Sequence, residues 1–329
     1  VMICLGIEST AHTFGVGICK DKGKFLANAK DSYTTESGGM IPNDASEHHI
    51  QVCDQVVKDA LKTAKLTIKD IDLITFSQGP GIGHTLRIGA MAARSLPHIH
   101  NIPIVGVNHC IAHLEIGRIL FKCKDPVLLY ASGANTQIIA YEGKKYRIFG
   151  ETLDIGSGNF IDSFARDLGL GFPGGPKIQE LAKKSKNYIE LPYVVKGMDV
   201  SFGGILTNLK TKINTKKYKE EDLAYSAQET IFAMLLEVTE RAMAHCNKTE
   251  LLLGGGVACN TRLQEMANIM CKERGAKCYT PANEYLVDNG AMIAWLGILK
   301  YKKQNKKSDT DLLIRPYERT DDIDIIWRK

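Results

Sequence analysis

Short apolar runs separated by small polar turns open the chain. Ile3–Ile7, Phe14–Cys19 and Phe25–Lys30 alternate as strands do, a longer stretch from about Ala45 to Ala64 carries helical periodicity, and Asp72–Ser77 reads as another strand. A glycine-rich turn then leads into a helix from about Thr85, and Pro103–Val107 forms a further strand. The second part repeats this order. Strands are predicted at Val127–Ala131, Gln137–Tyr141 and Tyr146–Gly150, followed by helical stretches, a strand at Leu251–Leu253, a glycine turn and a helix starting near Asn260. From Tyr301 to Lys329 the periodicity is lost and no terminal element is predicted.

The recurrence points to an internal duplication. Leu5-Gly6-Ile7-Glu8-Ser9-Thr10 and Leu129-Tyr130-Ala131-Ser132-Gly133-Ala134-Asn135-Thr136 are both apolar strands that end in small polar turns. Such turns leave backbone amides and hydroxyls free to face a phosphate. The late run Leu251-Leu252-Leu253-Gly254-Gly255-Gly256 breaks a buried strand into three glycines just before a helix, a place where a flat base and an anion can both be met. Two phosphate-type turns and a late glycine turn resemble the layout of the actin-like ATPase (ASKHA) superfold. The predicted class is therefore α/β, with two duplicated domains around a nucleotide cleft. With 329 residues, boundaries are predicted at 1–126 and 127–329, with a C-terminal helix over about 289–304 packing back on the first domain and a tail to 329.

Composition narrows the picture modestly. A chain with 44% hydrophobic and 24% charged residues has an ordinary soluble balance, and no apolar run approaches the roughly 20 residues of a membrane span. Nine cysteines without a CxxC pair argue against a disulfide scaffold or a zinc ribbon, so a cytoplasmic location and no membrane partner are expected. The net charge of +5 is uneven, with lysines gathered at 183, 184 and 186, at 210, 212, 216, 217 and 219, and at 302, 303, 306 and 307. Such clusters suit a phosphate backbone, although solvated helix ends have the same composition.

The candidate chemistry begins at Asn108-His109-Cys110-Ile111-Ala112-His113-Leu114, where two imidazoles fall on one helical face. They could share a zinc or iron ion with further ligands from elsewhere, or be ordinary histidines of a half-buried helix. A zinc protease needs a glutamate directly after the first histidine as general base, and Cys110 occupies that place. Glu115 projects from a different face, so a peptidase is disfavoured.

Several segments together resemble the tRNA threonylcarbamoyladenosine (t6A) transferase family, in its archaeal and eukaryotic branch, which forms the catalytic subunit of the KEOPS complex. They are Gly6–Thr13, Gly79–Gly83 with Leu86–Gly89, Asn108-His109 with His113, Ser132–Thr136, Gly158-Asn159 with Asp162 and Phe164–Arg166, Gly171–Pro176, and Gly254–Asn260. The resemblance covers nearly the whole chain. It implies transfer of the threonylcarbamoyl group of threonylcarbamoyl-AMP to N6 of adenine 37 (tRNA numbering) in the anticodon loop of tRNAs reading ANN codons. It implies one divalent metal ion per subunit, iron or zinc, held by His109, His113, Tyr130 and Asp288. An adenine nucleotide (threonylcarbamoyl-AMP, AMP or ATP) is expected on Tyr130, Ala131, Ser132, Gly133 and Ala134, with Asp162, Gly175, Gln179 and Asn260 around it. Residues of these types also serve as a core tyrosine, a helix-terminal carboxylate, a turn glycine and a helix cap, respectively, for Tyr130, Asp162, Gly175 and Asn260. Gln179 departs from the family, which generally has an acidic residue there. His12 and Thr13 stand where bacterial relatives are acidic, so no general base is assigned. The implied partners are tRNA and KEOPS-type subunits, including a small atypical kinase/ATPase that is fused C-terminally in some relatives. The competing readings are a small-molecule kinase or ATPase of the same superfold, and a nucleotide-gated scaffold.

Overall fold

A computed structural model describes residues 1–100 and 102–328. The first three apolar runs form the antiparallel strands β1 (Ile3–Glu8), β2 (Thr13–Lys20) and β3 (Lys24–Ser32), followed by α1 (Pro42–Ala64), β4 (Leu73–Gly79), α2 (Gly83–His100), β5 (Ile104–Asn108) and α3 (His109–Phe121). The second part runs β6 (Val127–Ala131), β7 (Thr136–Glu142), β8 (Lys145–Glu151), α4 (Ser157–Asp167), α5 (Gly175–Ala182), a short hairpin of β9 (Val195–Lys196) and β10 (Asp199–Val200), α6 (Gly203–Thr215) and α7 (Glu220–His245). It closes with β11 (Glu250–Gly254), α8 (Thr261–Glu273), β12 (Lys277–Tyr279), α9 (Asn283–Leu286) and α10 (Gly290–Lys303). The two-residue strands and β12 are too short to leave a readable alternation. α1 starts earlier than its periodicity suggested because Pro42 suits a first helical turn, where no amide is needed.

The two sheets have the same topology. One runs β3-β2-β1-β4-β5 and the other β8-β7-β6-β11-β12, each a three-strand antiparallel meander extended by two parallel strands. In each, the long helix that follows the last parallel strand reaches the other half. α3 touches β11 and β6 of the second sheet, whereas α10 lies across β1, β2 and β4 of the first.

Backbone proximity fixes α10. A Cβ added to Gly17 would lie 2.1 Å from the Ala291 nitrogen, and one added to Gly290 would lie 2.1 Å from the Gly17 nitrogen. Glycines at this crossing let helix and strands touch main chain to main chain. Met292, Ile293 and Ile298 are wholly buried along α10, each contributing about 1.5–3 kcal/mol by the usual area estimate.

The unpatterned tail is a strap. Ser308 and Asp309 accept from the amides of Ile104 and Gly106, and the Gln78 side chain donates to the carbonyls of Asp311 and Leu313. Further along, Arg319 reaches Glu151 of β8. The strap thus follows the β5 edge of the first sheet and ends against the second.

Candidate metal centre and nucleotide cleft

Asn108 decides where α3 begins. Its side chain accepts from the Ile111 amide at 3.1 Å, a helix cap that places His109 in the first turn and His113 one turn further on the same face. Both are 3% exposed or less. Tyr130 lies one residue from the end of β6, opposite Gln137 on one side and Gly254 on the other. Asp288 stands in the turn between α9 and α10, before Asn289, which caps α10 by accepting from Met292.

These four side chains meet. His109 Nε2 is 2.9 Å from the Tyr130 hydroxyl and 3.3 Å from Asp288 Oδ1, and His113 Nε2 is 3.4 Å from the same oxygen. The imidazole rings stand nearly perpendicular at 4.9 Å, and His113 also packs against Tyr130. Glu8 adds a group that the chain reading passed over. Its Oε2 accepts from His109 Nδ1 at 2.9 Å, while its Oε1 accepts from the amide and hydroxyl of Thr10. The alternation of β1 gave no sign of this, because an inward carboxylate is visible only once a cation or donor is known to face it.

Burial alone disfavours a charged His109, but Glu8, Tyr130 and Asp288 outweigh it and hold the imidazole well above the ordinary histidine range. His113 is lowered, chiefly by burial. Burial alone would raise Asp288, yet His109 and His113 carry it well below the usual carboxylate range. Burial raises the Tyr130 phenol.

The donor set fits a divalent ion. His109, His113 and Asp288 offer ligand atoms all within 4.8 Å of one another. Bonds of about 2.0–2.2 Å hold tetrahedral ligands roughly 3.3–3.6 Å apart, the range of both histidine–Asp288 separations. Glu8 engages the far nitrogen of His109 and so directs Nε2 inward, as outer carboxylates do around metal-bound imidazoles. Glu8, wholly buried, and Asp288, 14% exposed in its side chain, also leave negative charge that a cation would offset.

Beside this centre, the β6–β7 turn is docked on the start of α4. The amides of Gly158 and Asn159 donate to the carbonyls of Ser132 and Gly133, both at 2.9 Å. Gly133 and Ala134 remain exposed and Ala131 is buried. The main chain is packed so closely that Gly255, at φ 91°, would place a Cβ 2.2 Å from the Ala131 carbonyl. Asp162 lies in the middle of α4 rather than at its start, is raised by burial, and accepts from the Gly174 amide at 2.7 Å. Gly175 and Asn260 line a narrow hollow of about 10 Å³, room for about one water, with Phe160, Phe164, Ile231 and Gln228.

The polar residues around that hollow already have partners. Asn260 caps α8 through Arg262 and donates to Gln228, and Gln179 accepts from the Thr261 amide at 3.0 Å. Gln228, on α7, was not anticipated, since nothing in its helical pattern distinguishes it from a surface amide. Glu115 does face away from the histidines. Its carboxylate is buried against Tyr146, Arg118 and Trp327.

Residues 24–295 match the family described as tRNA N6-adenosine threonylcarbamoyltransferase. The chain is 56% identical over 326 residues to the Thermococcus kodakarensis protein of that name, covering 99% of this chain and 100% of the relative. It is 50% identical to a Methanothermobacter thermautotrophicus protein named "Probable bifunctional tRNA threonylcarbamoyladenosine biosynthesis protein", of which it spans only 61%. Among solved structures, HypF from T. kodakarensis has a TM-score of 0.65 at 15% identity, covering 94% of this chain and 48% of that one. Component A of the Acidaminococcus fermentans (R)-2-hydroxyglutaryl-CoA dehydratase gives 0.59 at 14%, covering 92% and 100%. These likenesses show the actin-like ATPase fold. No helix among the described residues is long and apolar enough to cross a membrane.

Proposed function

The chain belongs to the tRNA N6-adenosine threonylcarbamoyltransferase family, and on that premise we propose that it joins N6 of adenine 37 to the carbamoyl carbon of threonylcarbamoyl-AMP, releasing AMP. Its relatives' shared name makes it a tRNA-modifying transferase of the acyl-transfer type. The observation that carries the finer reading is the meeting of His109, His113, Tyr130 and Asp288 beside the β6–β7 turn. It supports a metal site next to a phosphate-type turn.

A divalent ion, when bound there, would act as a Lewis acid toward the substrate carbonyl. The protein's own task is positioning. The exposed turn at Gly133 and Ala134 receives the phosphate, and the narrow hollow beside Gly175 and Asn260, whose Phe160 and Phe164 are wholly buried, widens to take the base. Open space beside Gly175, where an added Cβ would meet nothing within 4 Å, leaves room for the sugar, with Asp162 nearby. Because AMP is already a good leaving group, holding the amine and the carbamoyl carbon in line supplies much of the rate. The exposed lysine clusters would face tRNA phosphates, and a cytoplasmic location follows from that substrate. KEOPS-type partners, including a small kinase/ATPase, complete the reading. It is supported by the bifunctional relatives, of which this chain spans 61% or less in three cases.

The test is incubation of the chain with tRNA and threonylcarbamoyl-AMP, with and without such partners, followed by nucleoside analysis. Threonylcarbamoyladenosine is the expected product. Its absence under both conditions, or magnesium-dependent phosphorylation of a small molecule instead, would overturn the reading.

A further inference from the structure

We infer that the C-terminal strap positions the metal-bearing helix, with Glu318 as its point of contact, so that the strap sets how tightly the centre holds its ion. The inference rests on the metal reading proposed for His109, His113, Tyr130 and Asp288. Glu318, only 7% exposed in its side chain, accepts from Asn108 Nδ2 at 3.0 Å. Asn108 uses its other side-chain atom to cap α3, and His109 is the next residue. One amide therefore joins the strap to the helix start.

Glu318 is itself held. Arg315 donates to it at 2.9 Å and to Asp311 at 2.9 Å, and the Arg315 amide donates to the Gln78 carbonyl. A second path runs through the main chain. The Pro316 carbonyl accepts from the Gly81 amide, and the Ile82 amide donates to the Thr10 carbonyl. Thr10 in turn donates to Glu8, the carboxylate on His109. The middle of α3 is tied as well, since Trp327 donates to Glu115 at 2.7 Å. The strap thus touches α3 at its cap and about two turns on, with both metal histidines between those points.

Buried polar contacts of this kind fix a side chain because an unpaired partner costs about 1–3 kcal/mol. Without Glu318, Asn108 loses the acceptor for its amide and is free to choose another rotamer. The first turn of α3, and His109 with it, then samples more geometries. Arg319 is a control on the same strap, because it reaches Glu151 and Asp321 and makes no hydrogen bond or ion pair with α3 among the described residues.

The experiment loads the full chain and its E318A, E318Q and R319A variants with Co(II), withdraws the ion with a competing chelator and records the visible absorption of the bound metal. E318A is expected to bind about tenfold more weakly with a changed absorption band, whereas E318Q, which still offers an oxygen to Asn108, stays within about threefold of the unaltered chain. R319A is expected to match the unaltered chain in both readouts. Unchanged affinity in E318A, an equal loss in E318Q, or an equal loss in R319A overturns the proposal. If the unaltered chain retains no more Co(II) than His109→Ala, the metal reading itself falls, and the strap proposal with it. Urea unfolding of the metal-free forms separates a loosened site from an unfolded chain.

Discussion

The two halves of this molecule share a topology and divide the labour. Both sheets extend an antiparallel meander with two parallel strands, and both send their next long helix across to the other half. Both of those helices are capped by an asparagine, Asn108 for α3 and Asn289 for α10. The difference lies in the residues on either side of the cap. After Asn108 come His109 and His113, so α3 brings imidazoles to the cleft. After Asn289 comes Gly290, pressed against Gly17, so α10 brings close packing, and only the residue before its cap, Asp288, reaches the centre. The repeated topology supplies two equivalent helix starts, of which one is a platform for imidazoles and the other a structural wedge that carries one carboxylate at its tip.

The sharpest way to break this contrast is to remove the platform. His109→Ala or His113→Ala should abolish metal retention and tRNA modification while leaving the far-ultraviolet circular dichroism unchanged. A metal-free double variant with full activity would refute the division. On the wedge side, Gly17→Ala forces a Cβ into the α10 main chain and should destabilise the fold by about 3 kcal/mol in urea unfolding. Gly256→Ala, where an added Cβ meets nothing within 4 Å, should stay within about 0.5 kcal/mol.

Glu8→Gln keeps an acceptor for His109 but removes the charge. Metal affinity should fall about 10–100-fold in a chelator competition, and an unchanged affinity would make Glu8 a packing residue. A smaller effect on the centre is expected at the wedge's own cap. Asn289→Ala should cost about 1 kcal/mol of stability, with product formation reduced only as far as Asp288 is displaced. If it instead removes the metal as completely as His109→Ala, the two helix starts do not divide into platform and wedge.

Part of the site was legible in the chain. The spacing of His109 and His113 already put them on one face, because helical periodicity is a local property that four residues suffice to reveal. The turns at Glu8–Thr10 and Ser132–Ala134 were equally visible, since each comes after an apolar strand that closes on small polar residues. Asp162 shows where such reading stops. The family resemblance implied a contact on the nucleotide, and the fold gives its carboxylate an amide partner, Gly174, that no local pattern could name.

The sequence by itself determined the alternation of strands and helices, its repetition, the glycine turn and the histidine face, all of which depend on neighbours a few residues apart. Only the tertiary structure decided that Asp288, 175 residues from His113, and Glu8, 101 residues from His109, close on the same imidazoles. It alone decided that the unpatterned tail grips the start of α3. The physical reason is that such meetings are set by how two sheets and two crossing helices pack. A polar side chain in a strand end or a tail carries no periodic mark of the partner it will meet.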